Sequence, residues 1–160
     1  MILKNEVLVR TEKKPIVWDA YFIANRQKKP LVIFCHGYKG FKDWGSWDLV
    51  ANHFCKEQLF FVKFNFSHNG GTITNPIDFP DLEAFAENNY TKEIEDLKDV
   101  LDHFTSKACA YNNNIDTTDI TVIGHSRGGG ISIIKTKEDH RIKKLITWAS
   151  ICDFGKRTAT

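Results

Sequence analysis

The chain has no apolar run near the roughly 18 residues needed to cross a bilayer. Its opening, "MILKNEVLVR", offers too few apolar residues before a lysine to serve as the core of a secretory signal. Both absences lead to the expectation of a cytoplasmic protein without a membrane partner. None of the four cysteines, Cys35, Cys55, Cys109 and Cys152, stands at the C-x-x-C spacing of a metal site. Without an export signal their default state is the reduced thiol. Cys35 and Cys152 adjoin apolar runs and are read as small core residues, and no metal or cofactor is expected. Neither sign of charge dominates: 22 Lys and Arg stand against 20 Asp and Glu, for a formal net charge of +2. The cations are spread along the chain rather than gathered in a stripe, which speaks against a nucleic-acid partner. There is no internal repeat and no low-complexity tract.

What is present suits one globular domain. A chain of 160 residues, 42% of them apolar, is long enough to bury a real core. Strand and helix patterns alternate along it. "NEVLVRT" and "PIVWDAYFI" read as two strands joined by a polar turn. "PLVIFCHG" is a continuous apolar run stopped by His-Gly, as expected of a strand buried on both faces of a parallel sheet. "SWDLVANHFCKEQ" reads as a helix with Leu49, Val50, His53 and Phe54 near one face. "LFFVKFNF" is the next strand, and residues 67–89, rich in Gly, Asn and Pro, read as loop. A helix begins near Thr91, with Ile94, Leu97, Leu101 and Phe104 at helical spacing and Glu93, Glu95 and Asp96 near its positive end. A polar linker leads to the strand "ITVIG", then a further helix, then the strand "IKKLITWAS". The alternation predicts an α/β three-layer sandwich with a mostly parallel sheet and helices on both faces. Chemistry in such sheets gathers at the carboxyl ends of the strands, where "HGYKG", "SHNGG" and "HSRGG" all fall.

The stretch "TDITVIGHSRGGGIS" places Ser126 between Gly124 and Gly128 at the end of an apolar strand. A serine hydroxyl is a weak nucleophile until a base activates it and a turn exposes it. A tight strand-to-helix turn supplies the exposure, and crowding at its flanks requires residues without side chains. Ser126 then stands at the tip, and the backbone N–H of Arg127 faces the space where an oxyanion would form. G-x-S-x-G arises by chance in roughly one chain in twenty of this length. Its place between strand and helix, rather than the motif alone, therefore carries the reading. The bland alternative is a Gly-rich turn with an incidental serine at a helix N-cap. Phosphate-loop spacings are absent from "GHSRGGG".

On "VIFCHGYKGFKDWG", "VKFNFSHNGG" and "VIGHSRGGG", in that order, the chain resembles the N-terminal part of an α/β-hydrolase. It is similar to bacterial serine esterases and to dienelactone-hydrolase-like or acyl-peptidase-like members of that superfamily. The resemblance implies a second oxyanion donor, the backbone N–H of Tyr38, a structural role for His36, and an inward-packed His125. It also implies a small-molecule acyl substrate and no cofactor. In chain order this fold runs Ser, then Asp or Glu, then His. The only histidine after Ser126 is His140, expected on the surface at the opposite end of the sheet. Asp153 falls past the last strand at the correct edge for a triad acid, although most hydrolases place that acid one strand later. Residues 1–160 are therefore expected to form a single α/β-hydrolase domain truncated after about the sixth strand, its catalytic histidine beyond residue 160. "DFGKRTAT" falls where a cap or lid often begins. Two functions follow: a serine hydrolase working through an acyl-enzyme, inactive as this fragment, or a non-catalytic binding module that kept the turn. Phe79, Phe85, Trp44 and Trp47 line an acyl pocket or pack in the core. Lys39, Lys42 and Arg127 draw an anionic substrate or form a solvated rim.

Overall fold

Residues 31–35, Leu-Val-Ile-Phe-Cys, are buried on both faces, and the sheet is built outward from them. In the computed structural model, which describes residues 1–25 and 27–154, they belong to β3 (Lys29–Cys35). The other strands are β1 (Ile2–Leu8), β2 (Ile16–Tyr21), β4 (Phe60–Phe64), β5 (Ile115–His125) and β6 (Ile142–Trp148). Their order across the sheet is β1-β2-β4-β3-β5-β6. The pairs β3–β4, β3–β5 and β5–β6 are parallel, while β1–β2 and β2–β4 are antiparallel.

Alternation along the strands divides the core in two. Leu31, Ile33 and Cys35 of β3, Phe60, Val62 and Phe64 of β4, and Ile120 and Val122 of β5 share one face with Leu97, Val100, Leu101 and Phe104. Those four line α3 (Tyr90–Thr105), whose first turn is capped by the Asn89 side chain accepting from the Lys92 N–H at 3.0 Å. Ile131 of α4 (Arg127–Glu138) joins the same cluster. Val32, Phe34, Phe61 and Ile123 face the other way, onto Trp47, Val50, Ala51 and Phe54 of α1 (Trp47–Lys56). Helices thus cover both faces, as the alternation requires.

Four expectations change. Leu49 and His53 are exposed; the buried side of α1 is carried by Ala51 with Trp47, Val50 and Phe54. Residues 82–86, read as loop, form the short helix α2 (Leu82–Ala86), capped by Asp81 accepting from the Ala84 N–H at 2.9 Å. Cys152 is exposed rather than part of the core, whereas burial pushes the Cys35 thiol up to about 12. Lys42 is fully buried and is no part of a solvated rim. Of the stretch expected to open a lid, residues 155–160 lie outside the described residues.

Lys42 belongs to an ionic assembly beneath the start of α1. Its Nζ lies 2.7 Å from Asp19 Oδ1, and Lys63 Nζ lies 3.0 Å from Asp19 Oδ2 and 2.5 Å from Asp48 Oδ1. Asp43 bonds both lysines, Lys4 reaches Asp19 and Asp48, and the Tyr21 hydroxyl donates to Asp48 at 2.8 Å. Asp19, Lys42 and Lys63 are completely shielded from solvent. Charges survive such burial only by mutual neutralisation, so removing one member strands the others. Burial alone would raise the carboxyls, but hydrogen bonds outweigh it. Those from Lys42 and Lys63 hold Asp43 far below the usual range, and those from Lys4, Lys63 and Tyr21 hold Asp48 at about 2. Carboxylates depressed in this way stabilise the fold above the ordinary carboxylate range, and that contribution is lost as pH falls through their folded values. Asp19→Ala in the full-length protein is expected to cost about 3–5 kcal/mol, read as a lowered urea midpoint. An unchanged midpoint would show that the assembly contributes nothing.

Candidate active site

Ser126 sits between β5 and α4 with φ 53° and ψ −118°, a backbone conformation rare outside glycine. Strain of this kind persists only where neighbours impose it. The Ser126 N–H donates to the Trp148 carbonyl at 2.9 Å, and its own carbonyl accepts from Gly129 at 3.0 Å and Ile151 at 3.1 Å. The end of β6 therefore clamps the turn. Neighbouring backbone leaves no room for side chains. A Cβ on Gly128 would lie 2.3 Å from the His36 carbonyl oxygen, and one on Gly124 2.5 Å from the Gly128 carbonyl oxygen. The G-x-S-x-G spacing is thus a packing requirement.

β3 and β5 pair Cys35 with Gly124, so their carboxyl ends finish side by side. A Cβ on Gly37 would meet Ser126 Cβ at 3.0 Å, which places the His-Gly loop directly against the serine. His36 organises that loop. It is buried, its Nε2 accepts from the Phe66 N–H at 3.2 Å, and its Nδ1 lies 2.8 Å from the Gly37 carbonyl. With Nε2 accepting, the proton resides on Nδ1 and the ring is neutral. Burial drives its pKa down to about 4. Among the described residues, neither the Tyr38 nor the Arg127 N–H is engaged by an acceptor.

Two clefts flank the serine. The larger, about 500 Å³, is lined by Tyr38, Phe85, Tyr90, Ser126, Arg127 and Ile151, with Asn88 and Asn89. The smaller, about 100 Å³, runs along the His-Gly loop past Trp44, Trp47 and His125. Phe85 therefore faces the larger cleft, stacked on Tyr38 with ring centroids 5.5 Å apart. Phe79 packs behind it against Phe41 and Phe85. Trp47 divides its surface between the smaller cleft and core contacts with Phe34 and Trp148.

The Arg127 side chain is held by a residue the sequence reading assigned to helix charge alone. Its Nε donates to Glu93 Oε2 at 2.8 Å, and Asn88 donates to Glu93 Oε1 at 2.8 Å. Burial raises the Glu93 carboxyl, opposed by Arg127 and Asn88. Asp96, one turn on, is likewise buried, bonding Arg10 at 2.6 Å and the Ser67 N–H at 2.7 Å. A signal was present: Glu93 shares the apolar stripe of Leu97, Val100 and Phe104, where a carboxylate demands a partner.

Among the described residues none of the six histidines bonds the Ser126 hydroxyl. His36 is locked as described, and His125 packs on Trp47 at 5.3 Å between centroids. His53 is exposed on α1, His68 joins Ser67 in the loop after β4, and His103 packs tilted against Trp18. His140 is exposed just before β6, and β6 runs parallel to β5, so it lies roughly 20 Å from the serine edge. Asp153 is exposed at the serine edge, two residues past the Ile151 that bonds Ser126.

No protein-family profile matches the chain. It is 25% identical over 138 residues to the Mycoplasma genitalium protein named "Putative esterase/lipase 2", covering 85% of this chain and 44% of that one. Among solved structures it resembles the alpha/beta hydrolase GrgF from Penicillium sp. at a TM-score of 0.73 and 16% identity, over 92% of this chain and 46% of that one. It also resembles an esterase of Rhizomucor miehei at a TM-score of 0.66 and 17% identity, over 96% of this chain and 45% of that one. The fold is that of the α/β-hydrolases. The chain spans a little under half the length of each of these relatives.

Gly128→Ala is expected to lower stability by at least about 1–3 kcal/mol, because backbone rather than a movable side chain fills the space. Thermal unfolding of the full-length variant measures this, and an unchanged midpoint would contradict the packing described. His36 has a folded pKa below its ordinary value, so its contribution is complete above pH ~6.5 and is lost as pH falls towards about 4. His36→Gln should flatten that part of the stability–pH curve.

Proposed function

We propose that the chain is part of a serine hydrolase that cleaves a carboxylic ester or related acyl bond through an acyl-enzyme. One observation carries this reading: Ser126 occupies a strained strand-to-helix tip against the His-Gly loop, beside two backbone N–H groups without acceptors. Ser126 Oγ attacks the acyl carbon and gives its proton to a base. The N–H groups of Tyr38 and Arg127 hold the oxyanion. The ester C–O bond breaks, the alcohol leaves with the proton, and water then releases the acid. Among the described residues no imidazole is placed as that base, so this reading takes it from outside residues 1–160, in a longer chain or a partner. Asp153 is the acid candidate within them. His36 fixes the oxyanion loop and stays neutral. The second reading, a non-catalytic binding module, draws on the same lack, among the described residues, of a histidine bonded to the Ser126 hydroxyl.

A fluorophosphonate probe on the full-length protein separates the two. Labelling is expected, and Ser126→Ala is expected to abolish it and to lower ester hydrolysis at least about 10⁴-fold. A folded full-length protein that takes no label would establish the binding module instead.

A further inference from the structure

The guanidinium of Arg127 is placed for more than an ion pair. Its side chain is only 16% exposed, and it lines the 500 Å³ cleft directly beside Ser126. Tyr90 and Tyr38 flank it, with Cζ 4.3 Å and 5.5 Å from their ring centroids. Glu93 engages only Nε. Among the described residues no acceptor meets the two terminal nitrogens, and neither is sealed from solvent as a buried unsatisfied atom. The end-on fork of a guanidinium, held by an ion pair behind and aromatic rings at its sides, matches the two oxygens of a carboxylate. Glu93 offsets the charge without occupying that fork.

We infer that Arg127 is a specificity residue whose terminal nitrogens bind a carboxylate on the substrate, so the ester cleaved carries an acid group a short spacer from its scissile carbonyl. The inference rests on the hydrolase reading and narrows its substrate class. The spacer is short because Ser126 and Arg127 line one cleft of about 500 Å³, in which the scissile carbonyl and the acid group must both fit. The cleft walls formed by Asn88, Asn89, Phe85 and Tyr38 enclose the spacer. Lys39 is the rival cation. It is exposed, and its Nζ lies 5.7 Å from the Tyr38 ring centroid on the loop above.

The test compares two p-nitrophenyl esters of equal chain length with the full-length protein at pH 7: the valerate and the mono-glutarate. The glutarate is expected to have the higher kcat/KM, by about 10-fold or more. Arg127→Gln is expected to lower the glutarate-to-valerate ratio by about 10- to 100-fold, the range of hydrogen bonds to charged groups. The ratio, not the activity, is the readout, because the Arg127 backbone is itself assigned to the oxyanion site. Glu93→Gln, which removes the offsetting charge, is expected to raise the ratio. Should Arg127→Gln fail to fold, the wild-type ratio and the Glu93→Gln shift decide. A wild-type preference for the valerate, a ratio indifferent to Arg127→Gln, or a ratio lost in Lys39→Gln instead would overturn the assignment while leaving the hydrolase standing. Absence of both fluorophosphonate labelling and hydrolysis of either ester would remove the hydrolase reading and this one with it.

Discussion

The first turn of α4 lies so close to the end of β3 that a single added carbon on Gly128 would collide with the carbonyls of Cys35 and His36. The rest of the site follows from that approach. With α4 pressed down on the sheet, the chain must reverse from strand to helix in one residue, and Ser126 takes a left-handed φ to do so. The hydroxyl-bearing residue is left at the tip, and among the described residues no acceptor meets the N–H of Arg127. β6 supplies no catalytic side chain, yet Trp148 and Ile151 hold the backbone of the turn. Strain at the serine is thus supported from the neighbouring strand end as well as from β3.

Buried charge organises the two sides of the same edge. Beneath α1, Asp19, Lys42 and Lys63 tie the loop after β3 to β2 and β4. Beneath α3, Glu93 holds Arg127, and Asp96 holds Arg10 together with the loop after β4. Buried ion pairs contribute little net stability over apolar packing, because desolvation consumes the Coulomb gain. What they do supply is direction: each charge accepts only a complementary partner in a narrow range of positions. Three loops at the carboxyl edge are therefore fixed by polar contacts rather than by shape alone.

The consequence for chemistry is a turn that carries Ser126 against the His-Gly loop, beside a cleft with an aromatic wall, with the N–H groups of Tyr38 and Arg127 free of acceptors among the described residues. A neutral His36, bonded at both ring nitrogens, serves geometry and not proton transfer. The cation in the cleft is likewise directed by Glu93 before any ligand arrives.

Most elements, the layered arrangement implied by their alternation and the tight turn at Ser126 were legible locally, because hydrophobic period and glycine spacing are properties of neighbouring residues. The buried apolar run of β3 and the stripe of α3 could be read without knowing what they touch. Which polar residues lie inside could not be read this way. Lys42, expected at a rim, is sealed in the core because Asp19, from the separate strand β2, meets it there. Cys152 and Leu49 adjoin apolar sequence yet face solvent, since exposure depends on what lies opposite. The pairing of Glu93 with Arg127 joins positions 34 residues apart. Sequence alone determined the layered fold and the glycine-flanked turn at Ser126. Only tertiary contact decided which charges meet, because Coulomb and hydrogen-bond partners are chosen by distance in space and not by distance along the chain.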